Sequence, residues 1–517
     1  MSGGRAEWAP ALLAAALLFF LWSATAGALM ASGVRLVPHV LRDPVVLRAL
    51  KFSFLQAVIS AGLAVLTAIP LAYLNATYDY PGRSVIETLT TLPFTLPTIS
   101  VALAFLLLAR AGFVPSGWPA IVLAHAYFNF GVCSQMMSSA LATVGLRLEE
   151  AAEVLGASPI RRFTRVVLPL ALRGVVSGFT LTFALSFTSF AIPLLLGGPK
   201  YRTLEVEIYS LYKVFLDPER ASAAALVQLG VTMAVALVAL RGVPGAISRE
   251  VRRRKPLSGL LPYLLASYGY LCALVALYPV AYLFARSLFD PLTDRFDPSV
   301  YARVLSLSHD PSLGTAPISA LLNSLFFATV TAVLTLTAAS LISAAAPRAR
   351  SVALLITTLP LGTSSITAAL GLYALGAKLD LPGWVLIAGS HALIAAPFAI
   401  RAIESGISGL SESLVDAAET LGLSRLDATF RVLLPAAMPA VLAAAFYSLA
   451  MSLSETAAVA LLSDPRTQTL TVAALRYAGV RRFQEAAASS ALIAFLTWAA
   501  LWAKGFVEGR MKWLRSS

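Results

Sequence analysis

The chain has 517 residues, of which 58% are hydrophobic and only 13% charged, with two cysteines and a formal charge of +13. Ordinary globular domains carry about 25% charged residues, so neither a disordered chain nor a soluble single core fits; hydrophobic runs of about twenty residues describe an all-α polytopic membrane protein. Cys133 and Cys272 lie inside apolar runs, which excludes a disulfide framework or a cysteine zinc site, and the basic excess is scattered between those runs, which reads as membrane topology and excludes a nucleic-acid binder.

Windows of about 20 apolar residues predict twelve spans, at roughly 10–31, 52–75, 86–109, 118–141, 172–196, 221–240, 260–285, 319–345, 352–376, 383–400, 437–462 and 486–503. The first follows Arg5 but exceeds the ~7 to 15 residues of a signal-peptide core, so it is taken as a span. Between the sixth and seventh spans, Arg241, Arg249, Arg252, Arg253, Arg254 and Lys255 surround Pro244 and Pro256. Basic loops stay on the cytoplasmic side. This linker and the tail with Arg510, Lys512 and Arg515 therefore place both termini, with 142–169, 241–258 and 402–435, in the cytoplasm, and 199–220 and 287–317 outside. The basic segment Arg35 to Lys51 runs against that orientation. The linker reads first as a topology anchor and second as a lipid head-group or regulatory site.

The halves repeat each other. Residues 150–169 read EAAEVLGASPIRRFTRVVLP and residues 416–435 read DAAETLGLSRLDATFRVLLP, ten of twenty positions being identical at a constant offset of 266. His125 and His391 share that offset, and TTLP at 90–93 recurs at 357–360, displaced by one residue. The expected organisation is a six-span domain at 1–241 with a polar loop at 149–169, a basic linker at 242–258, and a second six-span domain at 259–517 with its loop at 415–435. An even number of spans per half gives both the same orientation and puts cargo between them. In each polar loop a short helix with acids at its start is expected, closed by Gly156 or Gly422 in a left-handed cap, with Pro169 or Pro435 opening the next span. Its paired alanines leave one face bare enough for another protein's groove.

The pattern E-A-A, then Gly, then L-P about twelve residues later resembles the signature loop of permease subunits of binding-protein-dependent ABC importers. FSFLQA at 52–57, LLLGGPKYRTLEVEIYSLY at 194–212 and DPERASAAALVQL at 217–229 resemble more narrowly the fused, two-in-one permeases for iron(III) and thiamine, the thiamine type being somewhat closer. The resemblance implies an inner or plasma membrane location and two coupling helices, at Glu150, Ala151, Ala152 and Gly156 and at Asp416, Ala417, Ala418 and Gly422. Each would seat in one cytoplasmic ATPase subunit, and an external binding protein would deliver the cargo. Asp416 stands where the family pattern has Glu, one methylene shorter.

No lysine follows a glycine, so a Walker A loop is absent; G-x-S-x-G, H-E-x-x-H and G-x-G-x-x-G are absent too. No catalytic residue, cofactor or resident metal is expected, and the chain reads as a transport subunit rather than an enzyme. His125 and His391 are read as hydrogen-bonding between packed helices rather than as metal ligands. Glu455 is the clearest acid within an apolar run, its repeat mate being Ser189, and Pro193 interrupts the fifth span; the three are candidates for the translocation path, with helix capping or an ion pair as the other reading of Glu455. The competing function is a stand-alone secondary transporter with parallel six-span repeats, which would ordinarily carry more ionisable residues in its spans. An integral-membrane enzyme lacks any catalytic constellation. Iron(III), thiamine, polyamines and oxyanions all remain open as cargo.

Overall fold

A computed structural model describes residues 22–144, 146–241, 254–290, 293–344, 353–354, 357, 362–407, 410 and 413–516. Residues 1–21, which include 10–21 of the first expected span, the linker residues 242–253, and parts of the ninth span with TTLP residues 358–360 lie outside the described residues. The helices in chain order are α1 Pro44–Thr77, α2 Arg83–Thr95, α3 Thr98–Arg110, α4 Trp118–Ala142, α5 Leu146–Val154, α6 Leu168–Phe187, α7 Ala191–Gly197, α8 Leu204–Lys213, α9 Pro218–Arg241 and α10 Leu260–Leu288. They continue with α11 Ile318–Ser343, α12 Ser365–Leu379, α13 Gly383–Ile407, α14 Ser413–Thr420, α15 Met438–Ser454, α16 Ala457–Leu462, α17 Leu470–Gly479 and α18 Phe483–Ser516. Among the described residues six helices are long and apolar enough to cross a membrane, or up to eight if each of two bent pairs counts as one span.

Those bends have local causes. The window expected as one span at 86–109 is broken by 96° between α2 and α3. Leu96 is extended and Pro97 caps α3, because the residue before a proline is pushed out of the helical region. The second bend, 82°, separates Arg425–Ala436 from α15, where Pro439 occupies the first turn and cannot donate backward. Its repeat mate is Arg173, and there the helix Pro159–Phe187 runs through as a single 29-residue candidate span.

Two compact units cut across the sequence repeats: residues 43–207 with 230–286, and residues 1–42 with 208–229 and 287–517. In the first unit α1, α4 and α6 bury Val65, Ala68, Ala72, Cys133, Met137 and Ala171 together. Small residues bring these backbones close: a Cβ on Gly131 would lie 2.1 Å from the Thr90 carbonyl oxygen, and one on Gly174 2.3 Å from the Ala140 Cβ. On the other side of α1, Ala266 and Ala273 of α10 pack against Leu71, Leu74 and Ile86. The two-residue strand Lys255–Pro256, at the exit of the basic linker, pairs in parallel with Tyr78–Asp79, and Arg254 Nε donates to the Asn75 carbonyl at 3.2 Å.

In the second unit α11, α13 and α15 bury Ala339, Ile342, Ala396, Ile400, Ile403 and Ala444. The N-terminal helix at 22–33 packs here: Trp22 Nε1 donates to Thr363 Oγ1 at 2.9 Å, and a Cβ on Gly371 would lie 2.2 Å from Thr25 Cγ2. Loop 289–317 is tied down by charge. Arg482 donates to Asp310 at 2.8 Å and to Glu485 at 3.0 Å, and Arg303 donates to Asp297 at 3.0 Å.

Candidate functional site

The repeated polar loops fold into two matching hairpins. In the first, α5 ends in a Schellman motif: the Gly156 N–H donates to the Glu153 carbonyl (2.9 Å) and the Ala157 N–H to the Ala152 carbonyl (3.0 Å), with Gly156 at φ +79°. In the second, Gly422 donates to Glu419 (2.9 Å) and Leu423 to Ala418 (3.1 Å), with Gly422 at φ +90°. Only glycine takes that conformation without strain, the reason both copies keep it. Ser158 and Ser424 then cap the next short helices, accepting from the N–H groups of Arg161 and Asp427. An ion pair closes each hairpin, Glu153 with Arg162 and Glu419 with Arg425.

The glycines, alanines and acids of the motif fall on different faces. Ala151, Glu150, Asp416 and Ala417 are exposed, Ala152 is half-buried and Ala418 is buried within its own chain. The bare face expected from paired alanines is thus only half exposed. Large apolar side chains stand out beside the charged ones: Val154 is 88% exposed, Leu155 86%, Ile160 74% and Leu421 86%. The four residues Val154, Leu155, Ile160 and Leu421 were not singled out from sequence, since hydrophobic residues in a surface turn carry no motif. Glu149 is buried and accepts from Tyr73 Oη at 2.7 Å, while Glu150 faces Lys255 at 3.4 Å.

Behind each hairpin lies a π-helical turn, Phe163–Val167 and Thr429–Leu433, at the same offset of 266. Pro169 and Pro435 follow two residues later. In an α-helix each ring would clash with the carbonyl four residues back, at Arg165 or Arg431, and widening the turn relieves that clash. Pro169 and Pro435 stand in the first turn of the α-helix that follows each π turn, as expected from sequence, although the helical run itself begins upstream, at Pro159 and Arg425.

At the far end of the same spans both helices break. α6 stops at Phe187 and α7 restarts at Ala191; α15 stops at Ser454 and α16 restarts at Ala457. Pro193 sits in the first turn of α7, and a continuous helix would need its absent N–H to serve the Ser189 carbonyl. In the second copy Val459 replaces the proline, and Glu455 supports the break: its carboxylate accepts from the Ala458 N–H at 3.0 Å and from Ser365 Oγ at 3.0 Å. Ser189 and Glu455 thus occupy equivalent breaks, each in its own unit.

Each histidine bridges helices within its own unit. His125 Nδ1 meets Gln56 Oε1 at 2.9 Å, and Gln56 donates to the Ser186 carbonyl at 2.8 Å. His391 Nδ1 meets Ser452 Oγ at 2.7 Å, with the Phe327 ring 6.0 Å away. Also unforeseen was the matching of α8 and α17, whose first N–H groups, on Leu204 and Leu470, are capped by Ser53 and Ser324 at 2.7 and 2.9 Å. Glu205 and Glu207 of α8 are buried, Glu207 lying 3.6 Å from Arg202.

These features define a duplicated helical membrane component whose repeated polar elements are surface hairpins and broken spans. Residues 60–253 and 336–511 each match the family described as binding-protein-dependent transport system inner membrane component, and the chain belongs to that family. It is 32% identical over 213 residues to the thiamine transport system permease protein of Brucella abortus, covering 38% of this chain and 39% of the relative. It is 29% identical over 221 residues to the putrescine permease protein of Escherichia coli K12 (41% of this chain, 78% of the relative). With the spermidine/putrescine permease protein of the same organism it shares 30% over 191 residues (37% and 72%). The matches thus span well under half the length of the thiamine permeases.

Proposed function

We propose that the chain is the fused membrane subunit of an ABC importer, supplying both halves of one pathway and drawing its energy from two separate cytoplasmic ATPase subunits. The observation that carries this reading is the pair of hairpins, one in each compact unit, closed by the same cap and offering exposed apolar side chains at Val154, Leu155, Ile160 and Leu421. Burying these side chains in a partner's groove would remove their apolar surface from water. Glu150, Ala151, Ala152 and Gly156, with Asp416, Ala417, Ala418 and Gly422, form the two coupling helices in this reading. The termini and both hairpins face the cytoplasm, and an external binding protein delivers the cargo. Domains 1–241 and 259–517 each supply one half of the pathway, joined by the linker 242–258.

The cargo we propose is a small organic cation, with thiamine first and a polyamine second, as the named relatives carry both kinds. Iron(III), the other cargo suggested by the resemblance, shares the positive charge but draws no support from those relatives. Ser189, Pro193 and Glu455 line the path in this reading, at the breaks where helix ends expose backbone groups.

Leu155→Asp and Leu421→Asp test the docking assignment in the full chain co-expressed with its ATPase subunits. Each should lower ATPase retention and radiolabelled uptake together, while the permease still purifies folded from the membrane. Retention and uptake both at wild-type levels would remove the hairpins from the coupling role.

A further inference from the structure

The unit formed by residues 43–207 and 230–286 contains a cavity of about 970 Å³ that none of the proposed path residues Ser189, Pro193 and Glu455 lines. It lies between α10 on one side and α1, α3 and α4 on the other. Close-packed interiors leave few voids larger than a water molecule, and this volume is at the upper end of ordinary ligand sites, roughly 300 to 1,000 Å³. It is a groove open along α10 rather than an enclosed void, and its volume is that of a ligand site.

Its chemistry selects the occupant. The wall is almost wholly aliphatic and aromatic, and three of its four hydroxyls donate to backbone: Tyr127 Oη to the Ala276 carbonyl at 2.6 Å, Tyr268 Oη to the Thr67 carbonyl at 2.7 Å, and Thr67 Oγ1 to the Leu63 carbonyl at 2.7 Å; the fourth, on Tyr278, belongs to the aromatic rim. Water needs two to four polar partners to stay in such a place. Both α1 and α10 are candidate membrane spans, and the cavity runs along them. It is also continuous with the lipid-facing surface of α10: Leu271, Leu274 and Val275 line it while remaining 56%, 67% and 55% exposed. At one end Phe113 stands edge-on to Tyr278 and Tyr282, with ring centroids 6.3 and 6.0 Å away. Such aromatic clusters gather at the level of the lipid headgroups.

We infer that this cavity seats an acyl chain of a membrane phospholipid, with the ester and headgroup at the Phe113–Tyr278–Tyr282 rim. The chain fills the gap between α10, which opens the second repeat in sequence, and the first-repeat helices on which it packs. Dispersion with the aliphatic wall holds it, since transfer from surrounding lipid brings no hydrophobic gain.

The test uses the full-length chain in vesicles of phosphatidylethanolamine and phosphatidylglycerol doped with a phosphatidylcholine bearing a diazirine in one acyl chain. Photo-crosslinks mapped by mass spectrometry should be at least fivefold denser at Leu271, Leu274 and Phe113 than at Leu322 and Val333, which are comparably exposed on α11. Ala126→Trp, or Leu123→Phe if the larger side chain prevents folding, should fill the cavity and bring that excess to the α11 level without changing the labelling at Val333. Equal labelling at the two places, or an excess untouched by either filling variant, overturns the assignment. So does reaction of Ala126→Cys with a membrane-impermeant thiol reagent at the rate of an exposed loop cysteine, which would make the cavity aqueous.

Discussion

Glu455 does two jobs that one substitution can separate. Its carboxylate caps the N–H of Ala458 and holds Ser365 Oγ, which is structural, and it brings a negative charge to the helix break, which matters only if a cation passes. Glu455→Gln keeps the shape and one acceptor oxygen but removes the charge. For a cationic cargo the uptake KM should rise about five- to tenfold, equivalent to about 1 kcal/mol of lost binding, with the ATPase complex intact. An unchanged KM in uptake assays would leave Glu455 as a cap alone. Outside the membrane, Asp310 behaves differently. Burial raises its pKa, but hydrogen bonds from the Ser312 N–H, Tyr477 and Arg482 outweigh that and hold the carboxyl below its usual range. A depressed folded pKa stabilises the fold above the unfolded value, near 3.9, and that contribution is lost as pH falls through the folded value. Thermal melts of the detergent-solubilised chain should therefore drop below about pH 4, and Asp310→Asn should lower the melting temperature at neutral pH while flattening the acid limb.

The π turns matter at the scale of the element, because each joins a coupling hairpin to a membrane span. Deleting one residue from Phe163–Val167 would force α-helical spacing on the turn, drive the Pro169 ring into the carbonyl four residues before it and so tilt the hairpin against α6. Uptake should fall at least roughly tenfold, with membrane insertion unchanged, whereas an alanine replacing exposed Thr164 should be tolerated. Uptake surviving the deletion would show that the two elements need not keep a fixed angle. Much of this element-level structure was legible beforehand. The hairpin ends follow from Gly156 and Gly422, and the helical windows from apolar runs alone. The breaks were less visible, since a hydropathy window measures burial in lipid and is blind to a missing N–H. PFTLP at 93–97 reads as part of one apolar span although Pro97 forces Leu96 out of the helix. Exposure at the turns was hidden for a related reason: the sequence marks small residues, while in the fold Ala418 is buried and Leu421 stands 86% exposed.

For the whole molecule the duplication has a consequence that neither hairpin has alone. One lies in each compact unit, so if both hairpins serve the proposed coupling role a single chain should bind two ATPase subunits. Native mass spectrometry of the purified complex should give that stoichiometry, and Leu155→Asp should reduce it to one. ATP hydrolysis in this class of reading needs both subunits to close on each other beneath one pathway, so the one-sided variant should lose most uptake rather than half of it. Half-normal uptake would mean the two sides work independently, contrary to a fused importer. Orientation is tested on the same molecule. Single cysteines in place of Ile160 and Val300 should differ in sidedness, and since Val300 is fully buried, Phe296→Cys, where the side chain is 62% exposed, is the better external probe. In sealed, right-side-out vesicles a membrane-impermeant maleimide should reach position 296 at once and position 160 only after the membrane is opened. If both label from one side, the hairpins and loop 289–317 share a compartment, and the inward-facing coupling that the two-ATPase assignment requires is lost.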